Sequence, residues 1–355
     1  MAQEQKETQA GRLWIRWALG SPLHSVDGLP CNNGEHYSSI WHAATGYGNT
    51  YPMRFPRHKW PPAPSRMLRV YLEPFEHDTV PLALLAHMPH ERTDRDQADV
   101  IVCTQLPWGS IDHTHTQSVL TSYAMSDKKV LVCLLSDDSD PFEIPPTVLL
   151  FRTGMYRSRK HPQEHLLPYV WVHEELRMRP EEHPFMSCRI PSRKPWIGFR
   201  GLLHPCRMNQ ITLVKSSPRV SSKIILLTQY WAGAPGHPDV IRPYLQNIND
   251  THFTLCGRGA GNFSARFYHT LALGRIPIVA DTDMVFPLED RIPWDDRIVR
   301  CQEADIVSAT VSFWHQHDMA EAQRSCHDIY ARWLAPGPWC TIVLEEIIRP
   351  FLLGS

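Results

Sequence analysis

The residues best suited to chemistry lie between Cys256 and Gly274, in CGRGAGNFSARFYHTLALG. A short apolar run, HFTLC, enters GRGAG, and a helical pattern follows from Asn262. Gly259 and Gly261 permit tight turns and carry no side chain that would hold a ligand away from the main chain. Asn262 reads as the N-cap, and Ser264 places a hydroxyl in the first turn. The free N–H groups of such a turn, with the helix dipole, suit a diphosphate. Arg258 and Arg266 would add charged, forked donors. Asn262, Arg266 and His269 fall at i, i+4 and i+7 along one side of the helix, beside a stripe of Phe263, Phe267, Thr270, Leu271 and Gly274 that a sheet would cover.

Carboxylates supply the second set of candidates. Asp137, Asp138 and Asp140 crowd the end of an apolar run in LLSDDSDPF, at a strand end of the kind where α/β sites gather. One of them, or Glu164, could take a proton from an attacking hydroxyl, although Asp and Ser at strand ends also simply make turns. Two metal-type patterns carry less. His113 and His115 form HxH without a recognisable third ligand, and a polar loop is their expected home. Asp281-Thr282-Asp283 spells DxD, a pattern that can hold a divalent metal. Trp14, Trp17, Trp41 and Trp60 are read as packing residues. The Asn262-Phe263-Ser264 sequon must stay unmodified if its loop binds a ligand.

Two series of strand-length apolar runs would position these residues. MLRVYLEP, ADVIVCTQL, KKVLVCLLSD and TVLLFRT form the first; PWIGFRG, SSKIILLTQ, THFTLCGRG, RIPIVAD and RIVRCQ form the second. Near-continuous apolarity fits parallel strands covered on both faces. Two doubly wound α/β halves follow. The boundaries are an irregular, proline-rich extension over 1–66, a first half over 67–185 and a second over 186–355, with a charged, proline-rich seam within 168–195. Helical patterns are expected over 116–126, 305–316, 319–333 and 341–352.

Composition limits the alternatives. The 355 residues, 43% hydrophobic and 21% charged, exclude wholesale disorder. A formal charge of −1 argues against a general nucleic-acid binder. It conceals +9 between Arg152 and Lys223 and −10 elsewhere, so a local anion site remains open. Protonating all 20 His would move the charge to +19, so acid should destabilise the fold. Nine scattered Cys without a CxxC pair suggest reduced thiols. The polar start and the lack of a long apolar run predict a cytoplasmic chain without a transmembrane segment.

Residues 196–334 resemble the C-terminal half of exostosin-type glycosyltransferases. The match rests on the Arg-Gly-x-Gly-x-x-Ser-x-Arg signature in RGAGNFSAR, followed by the LALG turn, the RIPIV strand and VFPLEDRIPWDD. WIGFRGLLHPCR, with Arg207, and VLLFRTGMYRSRKHPQEHLLP, with Glu164, resemble further family segments. The likeness covers roughly 67–334 and is densest in 256–290.

It implies a GT-B fold, two Rossmann-like halves facing across a cleft. The implied activity is metal-independent, inverting transfer from a nucleotide-sugar, here a UDP-sugar, to a glycan or glycoconjugate, with no other cofactor. Arg207, Arg258, Gly259, Gly261, Asn262, Ser264, Arg266, His269, Asp283 and Glu289 would hold the donor. The first half would bind the acceptor, with Asp138 or Glu164 as base. At His269 the family usually carries a Glu that holds ribose hydroxyls, and a neutral His offers a single hydrogen bond instead. The alternative is therefore a catalytically silent sugar- or nucleotide-binding protein of the same fold.

Overall fold

The computed structural model describes residues 67–73, 85, 90–103, 106, 112–168, 192–229 and 238–354. The extension with its four tryptophans, and 169–191 of the expected seam, lie outside the described residues. The first sheet contains β1 (Leu68–Leu72), β2 (His90–Arg92), β3 (Val100–Cys103), β4 (Val130–Leu134), β5 (Val148–Arg152) and β6 (Glu164–Leu166). The second contains β7 (Trp196–Leu202), β8 (Ser221–Leu227), β9 (Phe253–Leu255), β10 (Ile276–Ala280) and β11 (Val299–Cys301). Their spatial orders are β2-β1-β3-β4-β5-β6 and β11-β10-β9-β7-β8. Every pairing is parallel.

Alternation along the strands explains why the central runs are apolar throughout. Val100 and Val102, Leu131 and Cys133, and Leu149 and Phe151 share one face of the first sheet. Ile101 and Cys103, Val130, Val132 and Leu134, and Val148 and Leu150 share the other. Both faces are covered, so neither register position tolerates a polar residue. Outer strands β2, HER, and β6, EHL, are three residues each and carry no such run; the sequence reading missed both.

The second face is covered by α1 (His113–Ser122), through Val119 and Leu120. The first is covered by the end of the chain: Trp339, Cys340, Val343, Leu344 and Ile348 pack on it. Division at 185/186 assigned this segment to the second half, but its apolar stripe returns to the first sheet. Helix α7 (Pro336–Val343) opens on a proline, where the missing N–H is harmless. A wider π-type turn over Leu344–Ile348 leads into α8 (Arg349–Leu353).

The second sheet is flanked by α2 (Pro205–Ser216), α3 (Pro238–Asn249), α4 (Ala265–Ala272), α5 (Ile306–Gln316) and α6 (Met319–Ile329). Ile197, Phe199, Phe253, Leu255, Ile276 and Ile278 from the strands join Phe267 and Leu271 of α4 in one core. Phe286 and Trp294 hold α4 from outside. The Phe267–Trp294 ring centroids are 5.2 Å apart, and Trp294 Nε1 donates to Pro287 O at 2.9 Å. VFPLEDRIPWDD is thus a packing element beneath the glycine-rich segment. The seven cysteines among the described residues are free. Among the described residues no helix is long and apolar enough to cross a membrane.

Candidate functional site

The glycine-rich loop leaves β9 at its C-terminal end and enters α4, the strand–turn–helix arrangement expected of an anion-binding loop. Its details differ from the sequence reading. The helix starts at Ala265, with Ser264 in the cap position and making no side-chain cap bond. Asn262 is not the cap, because its groups are used elsewhere. Gly274, read as part of the apolar stripe, instead ends α4 with φ 62° and donates to Leu271 O.

Asn262 is fully buried and ties the loop to residues around the first sheet. Its backbone N–H donates to Ser139 Oγ at 2.8 Å, and Nδ2 donates to Met155 O and Thr282 O. Oδ1 accepts from Thr282 Oγ1 at 2.6 Å and Arg258 Nη1 at 3.3 Å. The glycines serve the same contacts. A Cβ at Gly261 would stand 3.1 Å from Asp137 Cα and O, and one at Gly259 would stand 3.1 Å from Arg207 Nη2. Both glycines therefore admit neighbouring protein atoms, whereas the sequence reading had them clearing space for a ligand.

Asp283 and Glu289 continue this seam. Asp283 adopts φ 61°, and its carboxylate accepts from Ser158 N and Oγ at 3.1 and 2.5 Å, which lowers its proton affinity. Arg157 N donates to Asp283 O, and Tyr156 bridges to Met284. Glu289 accepts from Arg157 Nη2 at 2.8 Å. Asp281 pairs with Arg300 at 2.6 Å, so the two acids of DxD face different partners.

The arginines form the cationic part of the site. Arg207 and Arg266 lie over the Phe199 ring, at 5.8 and 4.3 Å from its centroid. Arg207 Nε donates to Gly257 O, and Arg266 Nη2 donates to Arg200 O. Arg258 Nη1 reaches Tyr156 Oη at 3.2 Å. Among the described residues neither Arg258 nor Arg266 has a carboxylate within ion-pair distance, and the Nε atoms of Arg266 and Arg200 are buried without a hydrogen-bond partner. His269 does not accompany them. It is 1% exposed, with Nδ1 2.7 Å from Tyr244 Oη, so it is a core residue rather than a ribose contact.

The proposed bases separate sharply. Glu164 is 2% exposed and pairs with Arg152, itself 1% exposed, at 2.8 Å. Its other oxygen accepts from His161 N. It is a buried structural acid, which its polar sequence neighbours concealed. Asp138 Oδ2 lies 2.7 Å from His113 Nδ1, and its Oδ1 accepts from Asp140 N. The HTHTQ stretch is no loop: Asp112 caps α1 by accepting from Thr114 N and His115 N, a signal the sequence carried. Ser139, Tyr156, Ser158 and His113 are the residues the sequence reading left unassigned or misplaced, and each acts on a partner remote in sequence.

No family model matches the chain. Over 63 residues it is 33% identical to a protein of Oryza sativa subsp. japonica named a probable glucuronosyltransferase, covering 18% of this chain and 14% of the relative. Over 63 residues it is also 33% identical to an Arabidopsis thaliana protein named a probable beta-1,4-xylosyltransferase, covering 18% of this chain and 15% of the relative. Each match thus spans a small part of the relative's length. Among solved structures, a spinosyn rhamnosyltransferase aligns at TM-score 0.36 and 11% identity, over 70% of this chain and 72% of that one. A calicheamicin glycosyltransferase aligns at 0.34 and 10%, over 81% and 99%. With its two parallel sheets and covering helices, this is an α/β chain carrying a segment similar to proteins named probable glucuronosyltransferase and probable beta-1,4-xylosyltransferase.

Proposed function

We propose that the protein transfers a sugar from a UDP-sugar to a hydroxyl of a glycan or glycoconjugate, with inversion and without a metal. One observation carries this reading: Arg258 lies in the glycine-rich turn, Arg207 donates to Gly257 O beside it and shares the Phe199 ring with Arg266, and Arg258 and Arg266 have no carboxylate partner among the described residues. A charge arrangement of this kind is balanced by an anion from outside the protein. In the reaction, the acceptor oxygen bonds to the anomeric carbon as that carbon's bond to the diphosphate oxygen breaks. The electron pair leaves with the diphosphate, and the hydroxyl proton passes to a base. Fixed guanidinium and helix-end donors would stabilise the departing charge without reorganisation. The second half would hold the donor and the first the acceptor. The named activities of the relatives make glucuronic acid and xylose the first sugars to try.

A catalytically silent sugar- or nucleotide-binding protein is the second reading, favoured by His269 being buried against Tyr244. Calorimetry with UDP, alongside radiolabelled transfer from UDP-glucuronic acid and UDP-xylose to xylo-oligosaccharides, tests both. Binding with transfer supports the enzyme; binding without transfer to any acceptor supports the silent binder. Absence of binding rejects both.

A further inference from the structure

We propose that His113 is the general base of the transfer and that Asp138 is its positioning residue; this rests on the glycosyltransferase reading above. His113 Nδ1 is 2.7 Å from Asp138 Oδ2, and the imidazole stacks on Phe142 with centroids 4.4 Å apart and planes 11° apart. Two independent contacts therefore fix the ring. Its side chain is nonetheless 43% exposed, whereas Asp138 is 10% exposed. With Nδ1 on the carboxylate, the proton on that nitrogen is held there and Nε2 is the nitrogen left to accept one.

Asp138 is itself held. Its Oδ1 accepts from Asp140 N at 2.8 Å, its backbone carbonyl accepts from Arg152 Nη2, and the Arg152 guanidinium lies 4.8 Å from the Phe142 centroid. Among the described residues, the charged and titratable groups around His113 are Asp138 and Arg152, whose Nη2 also lies 3.9 Å from Asp138 Oδ1, with Asp112 and His115 on its own turn. The pair also occupies the right place. Asp137 and Ser139, on either side of Asp138, are the residues that touch Gly261 and Asn262 of the donor loop. A hydroxyl reacting beside that loop would meet an oriented imidazole. The proton leaves the hydroxyl for Nε2 while the oxygen bonds to the anomeric carbon, and Asp138 stabilises the imidazolium that results.

The test is the pH dependence of transfer from UDP-xylose and UDP-glucuronic acid, with UDP affinity by calorimetry, in wild type, His113→Gln and Asp138→Asn. His113→Gln is expected to lose about 100-fold or more in kcat with UDP affinity and folding unchanged. Asp138→Asn should lower kcat and move the acid limb of the profile to lower pH, a change that a merely structural role would not produce. Added imidazole should partly restore His113→Ala. Wild-type kcat and an unchanged acid limb in His113→Gln would overturn the assignment while leaving the glycosyltransferase reading intact. UDP binding by wild type without transfer would overturn the base and leave only nucleotide binding. No UDP binding would overturn the underlying reading as well.

Discussion

The backbone N–H of Asn262 donates a 2.8 Å hydrogen bond to the hydroxyl of Ser139, joining the glycine-rich loop of one sheet to the loop that follows β4 in the other. Both residues are buried, so this bond sets the spacing between the loop that would bind a nucleotide and the loop that carries Asp138. Ser139→Ala leaves that N–H without its acceptor, and a loss of about 1–3 kcal/mol is expected. Gly261→Ala should act in the same direction, because its Cβ would meet Asp137 backbone atoms at 3.1 Å. Urea unfolding of both variants provides the check; unchanged midpoints would mean the two loops are not in contact.

Glu164 offers a contrast between structure and catalysis. Glu164→Gln removes the nearer of two carboxylates beside the Arg152 guanidinium, 1% exposed, and leaves Asp138 at 3.9 Å; stability should fall by about 1–3 kcal/mol. Were Glu164 the base instead, kcat would fall while the unfolding midpoint stayed put. Thermal unfolding and transfer kinetics on the same preparation separate these outcomes.

Acid sensitivity has an identifiable contributor in His165. Burial, with Lys160 nearby, pushes its proton affinity from the ordinary 6.5 down to about 4. Between those values the unfolded chain binds a proton that the folded chain does not, so the unfolded state is favoured as pH falls. This contribution leaves stability intact above about 6.5, erodes it down to about 4, and levels off below. His165→Gln should flatten the stability curve in that window. A variant curve parallel to that of wild type would show that His165 is not involved.

The return of the chain end to the first sheet is tested by Trp339, which is 2% exposed and packs edge-on against Phe151 at 6.1 Å. Trp339→Ala should cost about 3–5 kcal/mol, and hydrogen exchange should rise in β4 and β5 rather than in β9 and β10. Increased exchange confined to the second sheet would contradict the packing.

Much of this architecture was legible because β3, β4 and β5 are buried on both faces and must be apolar at every position. The strand–glycine–helix turn was equally plain. What failed was anything decided by a remote partner. Asn262 looked like a cap because capping is the local use of Asn, but Ser139 stands 123 residues away. Glu164 looked available because Arg152 is hidden on the neighbouring strand. His269 lay on the expected side of its helix, yet Tyr244 of α3 encloses it. The Asp112 cap could have placed His113 on a helix. Its pairing with Asp138 could not be read, because nothing local fixes which strand end the helix faces.

Titration of UDP into wild type and Arg258→Ala decides whether the cationic cluster is a nucleotide site. Arg258 is partly exposed and held by Tyr156 and Asn262 without a carboxylate among the described residues, so its loss should leave the fold intact. Saturable binding by wild type is expected, weakened about 10- to 100-fold in Arg258→Ala, as loss of a charge-assisted contact requires. Equal affinity in the two proteins, or no binding by wild type, would contradict the assignment.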